Sequence, residues 1–235
     1  MISPGSKFKI LDRGFDKTIL LLPGWAADCG IFSAMDLDYN YLMPRGPLSL
    51  SLTFADMKLG KISILGWSMG GFMACDIANK YPDHIYEVIF IGIRKRYDKA
   101  GIEKIKELLK KNKRAYLYKF YGDIFSEYEK DGLSWFKRNL MKDYIDKMGL
   151  DILIEGLDYL ASAEIKSLPG GVKAAFIHGS LDKIAPIEEA REVSARFPLA
   201  SFISIDGAGH APFLRKDFDS HCEGRIFGPK QSRFQ

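Results

Sequence analysis

The sequence predicts an α/β fold in which helices flank a mostly parallel β-sheet. Short apolar runs alternate with helical stretches over most of the 235 residues, a pattern typical of parallel strands joined by crossover helices. The runs are apolar throughout, as in strands that are covered on both faces. A chain of this length can bury a sizeable core as one domain with an insertion.

Six strands and two helices can be assigned from these runs and the turn residues between them. Pro23-Gly24 ends the first run, Gly66 ends the third, and Pro82 follows the first helix. In chain order, the predicted strands are residues 18–22, 39–43, 62–65, 87–91, 174–177 and 201–205, and the predicted helices are residues 69–81 and 186–197.

The stretch from residue 94 to residue 166 departs from this alternation. It contains no convincing strand, and its apolar residues recur at helical spacing, as at Ile102 and Leu109. Connections within α/β units take a few residues, so an excursion of about 70 predicts an inserted helical subdomain. We therefore expect a core of residues 1–93 and 167–235 and a helical cap, or lid, of residues 94–166.

Composition and charge exclude several classes of function. The net charge of +4 is mild, and no aromatic-interleaved basic motif points to nucleic acid. No apolar run reaches the roughly 18 residues of a membrane-spanning helix, and the first ten residues lack a secretory signal. Three widely spaced cysteines match no metal pattern and predict reduced thiols in the cytoplasm. Residues 219–235 are polar and predict a frayed tail.

Gly66-Trp67-Ser68-Met69-Gly70 matches the pattern G-x-S-x-G at a predicted strand-to-helix turn. The pattern alone is weak evidence, but a nucleophile is held on such a turn with a strained backbone, where glycines let strand and helix approach closely. The adjacent helix N-terminus favours developing negative charge. The position predicts Ser68 as a nucleophile, with a surface serine in a glycine turn as the alternative.

An acid and a histidine follow Ser68 in the chain order expected for such a nucleophile. Asp182 follows the predicted strand 174–177, and His210 follows the last strand. Both loops lie at the carboxyl edge of the sheet, where active sites of open α/β sheets gather. His210 would take the serine proton, and Asp182 would orient the ring and stabilise the imidazolium. The alternatives are an Asp182 that only caps the next helix and a His210 in a surface turn.

The other acidic and histidine candidates are weaker. Asp206 stands at the very end of the last strand, and His84 is on a solvated loop. His178 ends a strand, where it can pack or hydrogen-bond without chemistry, and His221 is in the tail.

An acyl-transfer nucleophile also needs hydrogen-bond donors for the oxyanion. The usual donors are the backbone N–H after the nucleophile and one from the loop after an earlier strand. Here these are the N–H groups of Met69 and Trp25. The Trp25 ring could wall the pocket, and a core role for it is the equal alternative.

With these residues in view, the chain resembles α/β-hydrolases, and among them the BioH family of pimeloyl-[acyl-carrier protein] methyl ester esterases. The resemblance covers residues 8–218 and is carried by residues 20–25, 66–71, 178–182 and 210–213. It implies an α/β-hydrolase fold and a serine carboxylesterase that cleaves the methyl ester of a carrier-bound dicarboxylic acyl chain, acting as a monomer without metal or organic cofactor. Acyl thioesterases, small-ester esterases and a menaquinone-pathway lyase are enzymatic alternatives, and a non-catalytic binding module is a non-enzymatic one.

The family usually has His-Gly before the tryptophan of the oxyanion loop, whereas this chain has Pro23-Gly24. Because the donor there is backbone, we expect the function to survive. The segment between Trp25 and Ser68 is also short for the fold, which implies a trimmed strand or helix.

The cap contains a strongly basic stretch. Residues 94–119 hold eleven Lys or Arg against three Asp or Glu, an excess of eight that can steer an acidic partner. The resemblance implies that acyl carrier protein is that partner, and a solvated lysine-rich helix face is the alternative. Phe120, Tyr121, Phe125 and Trp135 are candidates to line an acyl channel, although a cap core would give the same pattern.

Overall fold

The computed structural model describes residues 8–45, 60–222 and 226–227. Its seven strands are Phe8–Leu11 (β1), Thr18–Leu22 (β2), Asn40–Pro44 (β3), Ile62–Trp67 (β4), Ile85–Ile91 (β5), Lys173–Gly179 (β6) and Ser201–Ile205 (β7). In this described part they form one sheet in the order β1-β3-β2-β4-β5-β6-β7. All neighbouring strands are parallel except β1, which pairs antiparallel with β3 at the edge.

The helices are Met69–Lys80 (α1), Lys99–Asp123 (α2), Lys130–Phe136 (α3), Lys142–Lys147 (α4), Leu150–Leu160 (α5), Ile187–Ser194 (α6) and Phe218–Cys222 (α7). We call residues 94–166, which lie between β5 and β6 and contain α2 to α5, the cap segment. A π-helical turn, Lys137–Met141, joins α3 to α4. Within the described residues, no helix is both long and apolar enough to cross a membrane.

Helix α2 is kinked at Asn112, where the backbone leaves helical geometry with φ −159° and ψ 89°. The Asn112 side-chain oxygen accepts the N–H of Ala115 at 3.0 Å, so it caps the restarted helix. Before the kink, Ile102 and Leu109 are buried, while Leu108 faces outward. After the kink, Leu117 and Tyr121 are buried.

The six strands predicted from the sequence are confirmed, with bounds that differ by at most two residues. The central strands β2, β4 and β5 are almost entirely buried, which explains why most of their residues are apolar. The predicted helices correspond to α1 and α6, and the predicted helical character between β5 and β6 is also confirmed.

Two features at the ends of the chain differ from the sequence analysis. Strand β1 was not predicted, because it is a short edge strand in which only Phe8 is buried. The prediction of a frayed tail is wrong for residues 219–222. These residues belong to α7, in which Phe218 and Cys222 are buried against the core. Apart from 226–227, the rest of the predicted tail lies outside the described residues.

Candidate active site

Ser68 lies on the sharp turn between β4 and α1. Its backbone has φ +53° and ψ −118°, a region that residues other than glycine rarely adopt. A Cβ on Gly66 would lie 2.4 Å from the carbonyl oxygen of Gly70, and a Cβ on Gly70 would lie 2.1 Å from that of Leu22. The glycines of the G-x-S-x-G segment therefore allow the close strand-to-helix turn that the sequence predicts. The N-terminus of α1, at Met69, follows directly.

The strain at Ser68 can be measured by comparing two substitutions that both remove the hydroxyl. A residue in this region costs about 1–3 kcal/mol, and the greater freedom of glycine in the unfolded chain offsets about 0.5–1 kcal/mol of that. We expect Ser68→Gly to unfold about 2–4 °C above Ser68→Ala in thermal scans under identical conditions. An equal or lower Tm for the glycine variant would mean that the turn is not strained.

Asp182 and His210 form a buried hydrogen-bonded pair in the loops after β6 and β7. The Asp182 Oδ2 atom accepts from His210 Nδ1 at 2.7 Å, and the two side chains are at most 1% exposed. The other carboxylate oxygen accepts the N–H groups of Ile184 and Ala185 at 2.8 and 2.9 Å. Asp182 thus caps the turn before α6 and also orients the imidazole. The two roles that the sequence leaves open for it, helix cap and orienting acid, are therefore compatible. With Nδ1 donating to Asp182, Nε2 is the ring atom that can accept a proton.

The electrostatics of this pair favour an ionised Asp182. Burial raises its pKa, but attraction to His210 and hydrogen bonds from His178 and His210 outweigh burial and hold the pKa below the usual range. His178 Nε2 donates to the carbonyl oxygen of Ala185 at 2.7 Å and lies 3.3 Å from Asp182 Oδ2. His178 is therefore a second buried neighbour of the carboxylate, which remains able to stabilise an imidazolium.

The loops that carry Ser68 and His210 are held together by their neighbours. Trp67 Nε1 donates to the carbonyl oxygen of His210 at 2.8 Å. Gly92, at the end of β5, has φ +58°, and a Cβ there would lie 2.8 Å from the same oxygen. Burial raises the pKa of Tyr97 to about 12. Tyr97 and Ser68 line the same cavity.

The loop after β2 carries Trp25, and its conformation depends on the cap segment. Ala26 has φ +58°, a second strained position. Tyr121 Oη donates to the carbonyl oxygen of Ala26 at 2.7 Å, and Trp25 Nε1 donates to that of Leu153 at 2.9 Å. The loop adjoins the turn of Ser68, since a Cβ on Gly24 would lie 3.2 Å from Ser68 Cβ. The assignment of the Trp25 and Met69 amides as oxyanion donors stays a prediction.

A cavity of about 290 Å³ lies between Ser68 and the cap segment. Its apolar and aromatic walls are formed by Trp25, Tyr97, Ile102, Ile105, Tyr116, Phe120, Leu157, Leu160 and Ile184. Phe120 belongs to this lining and packs edge-on against Trp25, with ring centroids 4.9 Å apart. Phe125 lies elsewhere, because after α2 it turns inward and packs on Phe136 at 5.7 Å. The structure therefore moves Phe125 from the predicted channel to the interior of the cap segment.

The charged groups at the cavity are balanced by protein partners. Arg94 forms two hydrogen bonds with the Glu189 carboxylate, one of them 2.8 Å from Nε, and its guanidinium lies 5.1 Å from the Tyr97 ring centre. Asp98 caps the N-terminus of α2, and Asp123 is ion-paired within the same helix. Since these charges are already compensated, the cavity suits a neutral chain near Ser68 better than a free carboxylate.

Ion pairs neutralise part of the basic stretch. Five of its eleven cations have carboxylate partners in the described part of the chain, namely Arg94, Lys95, Lys106, Arg114 and Lys119. Lys113 donates instead to the carbonyl oxygen of Met148. Exposed Lys104, Lys110 and Lys111, on the first half of α2, have no carboxylate partner among the described residues. The basic surface is smaller than the count of residues indicates.

Three residues at this site were not assigned these contacts from the sequence. Tyr97 and Tyr121 are aromatic residues of the cap segment, and nothing in their spacing distinguishes them from core residues. Glu129 is buried and accepts the N–H of Gly209, next to His210, at 2.7 Å. Its spacing from Ser126, as S-x-x-E, is a local signature of a helix start, but the contact with the loop after β7 has no sequence signal.

Comparison with known proteins agrees with this geometry. Residues 55–217 match the family described as alpha/beta hydrolase fold. The chain is 22% identical to the pimeloyl-[acyl-carrier protein] methyl ester esterase of Yersinia enterocolitica and 24% identical to that of Yersinia pseudotuberculosis, each over 85% of this chain and 88% of the relative.

Solved structures share the fold at low identity. An esterase from Exiguobacterium antarcticum superposes with a TM-score of 0.73 at 17% identity, and a bromoperoxidase from Bacillus anthracis with 0.74 at 19%. Both superpositions cover 91% of this chain and 92% of the other. Because the family match spans more than half of the sequence and the sheet, turn and loops agree with it, the chain belongs to the α/β-hydrolase fold family.

Proposed function

We propose that this protein is a serine carboxylesterase that hydrolyses the methyl ester of pimeloyl-[acyl-carrier protein] in biotin synthesis. The observation that carries the proposal is the buried Asp182–His210 pair, together with a serine that lies on a strained turn and lines an apolar cavity. In the proposal Ser68 is the nucleophile, His210 the base and Asp182 the orienting acid. The cap segment acts as a lid over the cavity.

Acylation follows from this geometry. The Ser68 hydroxyl gives its proton to His210 Nε2 as its oxygen attacks the ester carbonyl. The Met69 and Trp25 amides hold the oxyanion, at a helix N-terminus that favours negative charge. When the tetrahedral intermediate collapses, the C–O bond to the methoxy group breaks, and methanol leaves with the proton from His210.

Deacylation repeats the same steps with water as the nucleophile. His210 takes a proton from water as the hydroxide attacks the acyl carbonyl, and returns it to the serine oxygen as the acyl bond breaks. The products are the free acid and regenerated Ser68. The ionised Asp182 stabilises the imidazolium in both halves of the reaction.

Three observations support a carrier-bound methyl ester as the substrate. Relatives that cover most of this chain carry that activity in their names. The apolar cavity fits an aliphatic chain, and its compensated charges fit an uncharged ester at the reacting end. Lys104, Lys110 and Lys111 leave a basic patch on α2 that would attract acidic acyl carrier protein. Cys29 and Cys75 are free thiols, which suits a cytoplasmic enzyme.

The proposal is tested by comparing methyl pimeloyl-acyl carrier protein with a short p-nitrophenyl ester at low and high salt. We expect the carrier substrate to have the higher kcat/KM, and salt to reduce that advantage, because screening weakens long-range attraction. Changing Lys104, Lys110 and Lys111 together to Glu should lower kcat/KM for the carrier substrate about tenfold or more and leave the small ester unchanged.

The matched control is Lys61→Glu, an exposed lysine at the opposite end of β4. It should leave both substrates unaffected. If the carrier substrate has no advantage at any salt concentration, the proposed pathway and partner are wrong, while the proposed esterase activity is unaffected.

The second candidate function is an esterase for small acyl esters. It is favoured by the ion pairs that neutralise five of the eleven cations in the basic stretch. A matching acyl thioester in the same assay separates a thioesterase from both.

A further inference from the structure

The turn between α2 and α3 is hydrogen-bonded to the loop that carries His210. The backbone N–H of His210 donates to the carbonyl oxygen of Ile124 at 2.7 Å. The Ser126 hydroxyl donates to the carbonyl oxygen of Gly207, three residues before His210. The cap segment therefore supplies backbone partners to the loop of the proposed base.

The Glu129 side chain is at the centre of this contact. One carboxylate oxygen, Oε2, accepts the N–H of Gly209 at 2.7 Å and the N–H of Ser126 at 2.8 Å. Glu129 is only 5% exposed. A Cβ on Gly209 would lie 2.9 Å from this oxygen and 2.5 Å from the Ile124 carbonyl oxygen, so the two segments meet without room for a side chain. A single carboxylate oxygen thus joins the cap segment to the residue before His210.

A carboxylate is costly to bury, and here burial raises the pKa of Glu129 although the Ser126 and Gly209 N–H groups act in the opposite direction. The charge of Arg215 also lowers this pKa, but less than the two N–H groups do, and the Arg215 guanidinium is ion-paired with Asp217. Two backbone N–H groups are therefore the main groups that stabilise its charge. An apolar residue would fill the same space without the free-energy cost of burying a charge, but it could not accept these two N–H groups. The carboxylate at this position is therefore explained by its role as a hydrogen-bond acceptor.

We infer that Glu129 is a positioning residue for His210, holding residues 207–210 where the imidazole can meet both Asp182 and Ser68. The inference rests on the proposed function, because the position of His210 matters in this way only if it is the base. Displacing a catalytic group by about 1 Å can cost about a hundredfold in rate. The cap segment would then be part of the catalytic scaffold as well as a cover for the substrate.

The two hydrogen bonds to one oxygen allow a sharp choice of variants. In Glu129→Gln, the amide oxygen can accept the same two N–H groups, so the acceptor remains while the charge is lost. In Glu129→Met, the chain has a similar length but the strong acceptor is lost. The matched control is Glu127→Met, an exposed position on the same turn.

The experiment measures kcat and KM for a small p-nitrophenyl ester, with active sites counted by a fluorophosphonate that labels Ser68. Counting sites removes any effect of a smaller folded fraction. We expect Glu129→Met to lose about ten- to a hundredfold in kcat per labelled site with little change in KM. Glu129→Gln should keep most of the wild-type kcat, and Glu127→Met all of it.

Unchanged kcat per site in a folded Glu129→Met variant would overturn the inference. A loss of kcat in Glu129→Gln as large as that in Glu129→Met would also overturn it, because the charge and not the hydrogen-bond acceptor would then be what matters. If the Met variant does not fold, Glu129→Asp replaces it. This variant keeps the charge but withdraws the oxygen by one methylene, and unchanged kcat would again overturn the inference. Wild-type protein that is neither labelled nor active would instead refute the proposed function.

Discussion

Ser68→Ala should reduce ester hydrolysis by about 10⁵–10⁶ in kcat, the largest effect that we expect from any single substitution. The covalent route requires an oxygen nucleophile at this position, because the turn directs this residue toward the cavity and His210 Nε2 would otherwise have no proton to take. Residual hydrolysis would come from oxyanion stabilisation and substrate binding alone. The measurement is kcat for a p-nitrophenyl ester together with labelling by a fluorophosphonate.

The alanine variant should remain folded, since the Ser68 side chain caps no helix. Its Tm should therefore lie close to that of the wild type. Ser162→Ala, a serine exposed on the cap segment, is the matched control and should retain full activity and labelling. Hydrolysis well above background by a folded Ser68→Ala variant would contradict the nucleophile assignment.

The central sheet could be predicted because strands that are buried on both faces consist mostly of apolar residues. Strands β2, β4 and β5 are mostly apolar, and a glycine or proline lies within two residues of the end of each. Strand β1 contains no such apolar run, because it is an exposed edge strand with a single buried residue. Helix α7 was missed for a similar reason: Phe218 and Cys222 are buried, but the residues between them are polar.

The candidate triad could be predicted because loops after parallel strands must meet at one edge of the sheet. Chain order then made Asp182 and His210 candidate partners of Ser68. The contacts that hold these loops depend on tertiary packing over long sequence separations. Glu129 is 80 residues from Gly209, and Tyr121 is 95 residues from Ala26. The spacing of apolar residues predicts which face of a helix is buried, but it does not predict which loop packs against that face.

The charge pattern of the cap segment illustrates the same limit. The excess of cations in residues 94–119 is a property of the sequence, whereas Arg114 pairs with Asp146 on α4 and Lys106 with Asp158 on α5. These acids are outside the counted stretch. A count over one segment therefore overestimates the charge that the folded surface presents to a partner.

Asp182→Asn should lower kcat by about 10⁴ while leaving the protein folded. If the asparagine oxygen keeps the N–H bonds of Ile184 and Ala185, its NH₂ group faces His210 Nδ1, and two donors meet. The imidazole then favours the tautomer with its proton on Nε2, which cannot accept the serine proton. Asp206→Asn, at the exposed and weaker candidate acid, is the matched control and should keep wild-type kcat.

The same substitution predicts a change in acid stability. The pKa of Asp182 in the folded protein lies below its ordinary value of 3.8, so its ionised form stabilises the fold above that pH, and this stabilisation is lost as the pH falls through the folded pKa. The asparagine side chain of the variant does not titrate. The wild type should therefore lose more Tm than Asp182→Asn between about pH 5 and pH 2, so that the difference between them narrows. A constant difference over this range would show that Asp182 is not held ionised by His210 and His178, and would remove the electrostatic basis for its role in stabilising the imidazolium.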